Sequence, residues 1–196
     1  MKNDISLFKA KTFENFIGVE DVNKLINFAE TTERWEPGSS VWNNRVIGPQ
    51  SMMLQGRKDL ALIIDDIRKK IKSTLEEHYG DGKEIYCDLI QLIRWFPGMD
   101  QPPHADDMKM VPDASDWFHH RDFGVILYLN DNYKGGHTYY PQYDFEIVPM
   151  SGMLAAHPGD DNHLHGVTKI EDGMRYTVAS FWTFDKEYEY DYSFIS

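Results

Sequence analysis

The 196-residue sequence predicts an α+β fold, a β-sandwich or barrel core backed by helices. Two features carry that expectation. From Ile85 onward, short β-rich runs alternate with turn residues, and many short strands at regular spacing fold as sandwiches or barrels. Before Ile85, apolar residues recur at helical spacing, so helices are confined to the N-terminal half.

Taken in order, Leu7 to Phe16 reads as a short strand and turn. Val22, Leu25, Ile26 and Ala29 then follow a helical period behind Glu20 and Asp21, acids that favour a helix start. Glu36-Pro37-Gly38-Ser39-Ser40 breaks the pattern, and Val41 to Ile47 is expected as another strand. The clearest helix comes next. Leu60, Ile64, Ile67, Ile71, Leu75 and His78 or Tyr79 form one apolar stripe that Gly80 should end, and the stripe should lie against a sheet.

The expected strands are Ile85 to Phe96, Phe123 to Leu129, Thr138 to Tyr140, Phe145 to Val148, Met153 to Ala156, Leu164 to Ile170 and Arg175 to Phe184. Between them lie Pro97-Gly98, Asn130-Asp131-Asn132, Gly135-Gly136, Ser151-Gly152, Pro158-Gly159-Asp160-Asp161-Asn162 and Asp172-Gly173, all turn formers. The tail alternates acids and tyrosines from Asp185 to Tyr192, and should form an edge strand or a strap. We therefore expect a single domain: an elaboration over 1–84, a β core over 85–185 and the tail over 186–196.

Composition narrows the function classes. With 41% hydrophobic and 14% aromatic residues the chain is expected to fold as a globule. A net charge of −12 argues against non-specific nucleic-acid binding, which needs a surplus of lysine and arginine. No apolar run has membrane-spanning length, and Met1-Lys2-Asn3-Asp4-Ile5 lacks the apolar core of a signal peptide. The single cysteine, Cys87, excludes an internal disulfide and suits a cytoplasmic protein.

The chemistry concentrates between Pro103 and Tyr176. Two imidazoles and one carboxylate on one face of an iron ion leave the opposite face open for substrate and oxygen. In a strand, residues i and i+2 point the same way, so His104 and Asp106 can converge while Ala105 turns away. The third ligand must come from a distant strand, and both His163 and His165 have the right parity. The His165-Gly166-Val167 pattern and a ten-residue interval to Arg175, a candidate anchor for an acidic co-substrate, favour His165.

One triplet carries little weight, since 8 histidines and 32 acids make a His-x-acid match expected about once by chance. A second match exists, His120-Arg121-Asp122. With Phe123 and Gly124 it also spells overlapping letters of two kinase motifs, but no phosphate-binding glycine loop or strand lysine precedes them. The remaining histidines, His119, His120, His137 and His157, are expected at the surface or behind the ligands.

Several spaced islands together are more specific. Trp95-Phe96-Pro97-Gly98 leads into His104-Ala105-Asp106, and Arg121 precedes Tyr128-Leu129-Asn130 by seven residues. Gly135-Gly136-His137-Thr138-Tyr139-Tyr140-Pro141, Ile147-Val148-Pro149-Met150-Ser151-Gly152 and the block from His165 to Tyr176 complete the order. In this order the half from about Gln91 to Asp185 resembles the Fe(II)- and 2-oxoglutarate-dependent dioxygenases, nearest to their prolyl 4-hydroxylase branch. The chain departs from that pattern at His137 (usually Glu), Tyr140 (usually Phe) and Trp95 (commonly Tyr).

The resemblance implies a double-stranded β-helix (jelly-roll or cupin-like) core. It implies Fe(II) held by His104, Asp106 and His165, with O2 and 2-oxoglutarate as co-substrates. The far carboxylate of 2-oxoglutarate would then rest on Arg175 and the Tyr128 hydroxyl. It places Arg121 on the strand that follows a variable loop, which leaves His120 and Asp122 as rim residues. Asp107 should face away from the metal. The implied reaction hydroxylates an unactivated C–H bond, on a prolyl residue of a peptide or protein, and releases succinate and CO2. A free amino acid or other small molecule as substrate, and a non-catalytic binding module, are the competing readings. The loop from Asp107 to Phe118 is the candidate substrate lid.

Overall fold

The structure, a computed structural model, describes residues 7–37, 42–108 and 118–195. Strand β1 (Lys11–Phe13) is followed by helix α1 (Val19–Thr31), strand β2 (Val46–Ile47) and helices α2 (Pro49–Leu54) and α3 (Lys58–Tyr79). Ten strands come next: β3 (Tyr86–Trp95), β4 (Gln101–His104), β5 (Phe123–Tyr128), β6 (Lys134–Gly135), β7 (Thr138–Tyr140), β8 (Phe145–Ile147), β9 (Leu154–Pro158), β10 (His165–Val167), β11 (Ile170–Asp172) and β12 (Arg175–Thr183). None of the described helices is long and apolar enough to cross a membrane.

The strands build a six-stranded sheet in the order β1-β9-β5-β12-β3-β2 and a four-stranded sheet in the order β4-β10-β7-β8. A small ribbon pairs β11 with β6. Every pairing is antiparallel. Alternation along the central strands divides the large sheet into two faces. Phe123, Val125 and Leu127 of β5 and Tyr176, Val178 and Trp182 of β12 pack with Leu60, Ile64, Ile67, Ile71 and Leu75 of α3. The residues between them, Gly124, Ile126 and Tyr128 on β5 and Arg175, Thr177 and Ala179 on β12, lie on the other face. Tyr128 and Ala155 of the large sheet join Tyr140 and Ile147 of the small one in a second apolar cluster between the sheets.

The expected α+β arrangement is what the chain forms, with differences of local origin. The run expected as a strand from Leu164 splits into β10 and β11, which belong to different sheets. Val41 lies outside the described residues. Trp42 to Arg45 form a tight turn with 3-10 character at Trp42 instead of the expected strand, because Asn44 takes a left-handed φ of 56° that ends any extended run before β2. Helix α2 carries little periodic signal in its six residues, and only Pro49 at its first turn marks it. The tail forms no strand. It is a strap of short 3-10 turns that buries Tyr192 and Ile195 in the helix-side core. Most of the proposed lid, residues 109–117, lies outside the described residues.

Gly80 ends α3 as expected, but not through a left-handed cap. Its φ and ψ are −69° and −29°, and the left-handed residues are the next two, Asp81 and Gly82. Glycine is needed at position 80 for space. A Cβ there would stand 2.6 Å from the Glu76 carbonyl oxygen and 2.9 Å from that of Lys83. Gly80→Ala and Gly80→Asn should therefore both destabilise the fold by about 1–3 kcal/mol in denaturant titrations. Asparagine matching glycine there would mean that the backbone, not the packing, sets the requirement.

Candidate metal and 2-oxoglutarate site

The two histidines meet because of strand register. His165, the first residue of β10, stands directly opposite His104, the last residue of β4. Their rings lie 4.5 Å apart, centroid to centroid. Asp106 reaches the same point from just beyond the strand end. The i, i+2 expectation gives the right convergence for a partly different reason: β4 stops at His104, and the chain turns at Asp106 and Asp107. Asp106 Oδ1 is 3.9 Å from His104 Nε2 and 3.7 Å from His165 Nε2. One ligand atom from each of the three side chains lies within 4.8 Å of the others, and this is the only such group among the described residues.

The surroundings prepare each donor. His104 Nδ1 is 3.0 Å from the Pro102 carbonyl oxygen, and His165 Nδ1 is 3.1 Å from that of His163. Each Nδ1–H donates to its carbonyl, which fixes the tautomer and makes each Nε2 an acceptor turned toward the cluster; that of His104 accepts from the Gln101 side-chain amide, a bond a metal would replace. Gln101 Nε2 sits 3.2 Å from His104 Nε2. Burial pushes the His165 imidazole down to about 3, and the neighbouring His157 adds to the effect, so His165 is neutral, as a ligand must be. Burial alone would raise the Asp106 carboxyl. The imidazoles of His165, His157 and His104 and the Arg121 guanidinium outweigh it and hold the group below its ordinary value. Asp106 Oδ2 has no hydrogen-bond partner in the protein. Two imidazoles and one buried carboxylate fit a divalent transition metal.

The other candidates fall elsewhere. His163 is buried, but both ring nitrogens are engaged, with the Lys9 amide at 3.0 Å and Asp160 Oδ1 at 2.6 Å. In the second triplet, Asp122 Oδ2 accepts from the Phe184 amide at 2.7 Å and the Thr183 hydroxyl at 3.2 Å, which ties down the end of β12. His120 stacks on Tyr188 with centroids 3.8 Å apart. Arg121 bonds Asp88 at 2.8 Å, where the β3–β12 register shifts and passes over Asp88. Asp107 is buried outside the cluster.

His157 is the neighbour that sequence reasoning undervalued. It is 1% exposed, its ring is 4.1 Å from that of His165, and its Nδ1 is 4.0 Å from Asp106 Oδ2. Gly124 makes room for both groups, since a Cβ there would collide with Asp106 Oδ2 and stand 2.7 Å from His157 Cε1.

Arg175 lies on the inner face of β12, paired with Trp95 on β3. It is 2% exposed, and its Nε and Nη2 have no partner in the protein. An unpaired buried donor costs about 1–3 kcal/mol, more when charged, so the arrangement is built for an anion. Aromatic rings wall it in: its Cζ is 5.2 Å from the centre of the Trp95 ring and 5.4 Å from that of Tyr128. On Trp95 a second cation is stacked, Arg45, at 4.1 Å. Burial and the nearby Arg175 push Arg45 down to about 10, so it stays charged at neutral pH and adds positive potential. Trp95 Nε1, where a tyrosine hydroxyl is commoner in the resembled branch, also lacks a partner. The Tyr128 hydroxyl is already engaged, donating to Thr138 Oγ1 at 2.6 Å.

A metal-binding test follows from Gly124. Gly124→Ala should weaken Mn(II) binding to the purified protein on the order of 10–100-fold, because the Asp106 carboxylate must move. Wild-type Mn(II) affinity in a folded variant would show that the Asp106 position does not depend on this gap.

Comparison with known proteins agrees with this geometry. Residues 90–183 match the family model described as 2OG-Fe(II) oxygenase superfamily. Prolyl 3-hydroxylase 2 of Rattus norvegicus is 29% identical over 156 residues, which cover 68% of this chain and 22% of the relative. The chain thus spans about a fifth of the length of that relative. Among solved structures, a viral collagen prolyl hydroxylase from Paramecium Bursaria Chlorella virus-1 superposes with a TM-score of 0.64 at 18% identity, covering 91% of this chain and 97% of the other. A Trichoplax adhaerens prolyl hydroxylase in complex with a hypoxia inducible factor peptide fragment gives 0.64 at 18%, covering 94% and 87%. The two facing sheets are the double-stranded β-helix of those structures. Residues 90–183 fall within the 2OG-Fe(II) oxygenase superfamily, and the chain has the fold of its prolyl-4-hydroxylase-like members.

Proposed function

We propose that this chain hydroxylates prolyl residues of a peptide or protein, using Fe(II), 2-oxoglutarate and O2. The observation that carries the reading is that one inner face bears both the His104–Asp106–His165 cluster and a buried arginine with unpartnered donors. The prolyl hydroxylases among its relatives support the substrate class.

Each residue has a physical task. His104, Asp106 and His165 would hold the metal from one side. Their single negative charge leaves a divalent ion with net positive charge, which favours an anionic co-substrate. Arg175 would take the distal carboxylate of 2-oxoglutarate in two charge-assisted hydrogen bonds through Nε and Nη2. The rings of Trp95 and Tyr128 shield that pair from water, and the removal of water strengthens it. When bound, Fe(II) and 2-oxoglutarate supply the oxidising chemistry that places one oxygen atom of O2 on the substrate and releases succinate and CO2.

Asp106→Ala and His165→Ala should each abolish substrate-dependent succinate formation in a folded protein, while Asp122→Ala keeps it. Proline-containing peptides should stimulate turnover more than free proline does and gain 16 Da by mass spectrometry. Turnover retained by Asp106→Ala and lost by Asp122→Ala would move the metal to the other triplet. Hydroxylation of free amino acids alone would replace the peptide reading.

A further inference from the structure

Tyr133 lies in the turn after β5, one residue before β6, in a segment whose sequence reads only as a turn. Its ring is half-buried and its hydroxyl is fully shielded, yet the hydroxyl has no hydrogen-bond partner in the protein. Two glycines open the space it occupies. A Cβ on Gly136 would stand 3.0 Å from Tyr133 Cε2 and 3.1 Å from Arg175 Cδ, so the phenol and the arginine stem meet over that one position. A Cβ on Gly173 would stand 3.0 Å from Tyr133 Cβ. Both glycines have positive φ, 66° and 81°, so substitution would also strain the backbone.

The donors around Arg175 are unequally committed. Tyr128 spends its proton on Thr138. Tyr133 has the same kind of proton and the same cation beside it; the Arg175 guanidinium is close enough to act on its oxygen, and its own proton has no well-aligned acceptor in the protein. Burial pushes the Tyr133 phenol up to about 12 against the pull of Arg175, so it carries its proton at neutral pH. A protonated phenol beside a guanidinium with two free N–H groups offers a three-donor cradle, and a carboxylate with two acceptor oxygens is the ligand that satisfies it.

We propose that Tyr133 is a specificity-determining residue whose hydroxyl donates to the distal carboxylate of the 2-oxo diacid and selects it over 2-oxo acids that lack that group. The inference rests on Arg175 being the co-substrate anchor. Tyr133 adds the neutral donor that a cation alone does not supply. A purely packing role for the ring predicts no such selectivity, because phenylalanine would fill the same space.

The test uses full-length protein loaded with Mn(II) under argon and measures binding of 2-oxoglutarate and of 2-oxobutyrate, which has the same metal-binding head and no distal carboxylate. Tyr133→Phe should weaken 2-oxoglutarate about 10- to 100-fold, the range for one hydrogen bond to a charged group. It should change 2-oxobutyrate less than about twofold and leave Mn(II) affinity and Tm in place. Arg175→Ala should remove the preference for 2-oxoglutarate altogether. If Arg175→Ala removes it and Tyr133→Phe does not, the Tyr133 assignment is wrong and the anchor stands. If Arg175→Ala also leaves it intact, the distal carboxylate binds elsewhere and both assignments fall.

Discussion

The antiparallel pairing of β4 with β10 sets His104 against His165, and the rest of the site depends on that register. A slip of one residue would turn His165 to the opposite face of its strand and bring Gly166 against His104. Close packing on the neighbouring strand holds the pairing. A Cβ on Gly166 would be 2.5 Å from the Gln101 carbonyl oxygen and 2.7 Å from the Tyr139 ring. Val167 and Ile170 then anchor the segment against Ile93 and Trp95 of the large sheet. Geometry accurate enough to hold a metal thus comes from sheet packing, while Asp106 is held in a gap left by Gly124.

The same face carries two electrostatic environments. Around Asp106, a buried carboxylate stays charged because imidazoles and Arg121 surround it. Around Arg175, two guanidiniums flank one indole, in a chain whose net charge is −12. Gly124, at the carboxylate, and Tyr128, at the arginine, stand four positions apart on β5, which is about 13 Å of strand. A carboxylate–imidazole cluster at one end of the face and a buried guanidinium at the other would suit a co-substrate that chelates a metal with its head and carries a carboxylate on its tail.

The sequence was most legible where chemistry follows chain spacing. His104, Asp106, His165 and Arg175 were identified from parity, intervals and the resemblance, and the structure brings the first three together and buries the fourth with open donors. Periodicity found α3 and the strands on either side of the site. Other features had no sequence signal. β4 reads Gln-Pro-Pro-His, and prolines conceal a strand whose donors face an edge. His157 looked like any histidine in a β run, because its closeness to Asp106 arises only when β9 pairs with β5 at Gly124. Tyr133 was hidden in a turn, and its relation to Arg175 depends on how Gly136 and Gly173 fold over it. Tyr128 lies beside Arg175, and its hydroxyl is within 2.6 Å of Thr138 Oγ1, a contact the spacing of the sequence does not reveal.

We propose that one face binds iron at one end and the tail of 2-oxoglutarate at the other. Anaerobic absorption spectroscopy reads both at once. Adding 2-oxoglutarate to the Fe(II)-loaded protein should produce a weak visible charge-transfer band, and the band should be missing from His165→Ala. A folded, Fe(II)-loaded wild-type protein that shows no band at saturating 2-oxoglutarate would mean that this face does not bind the pair.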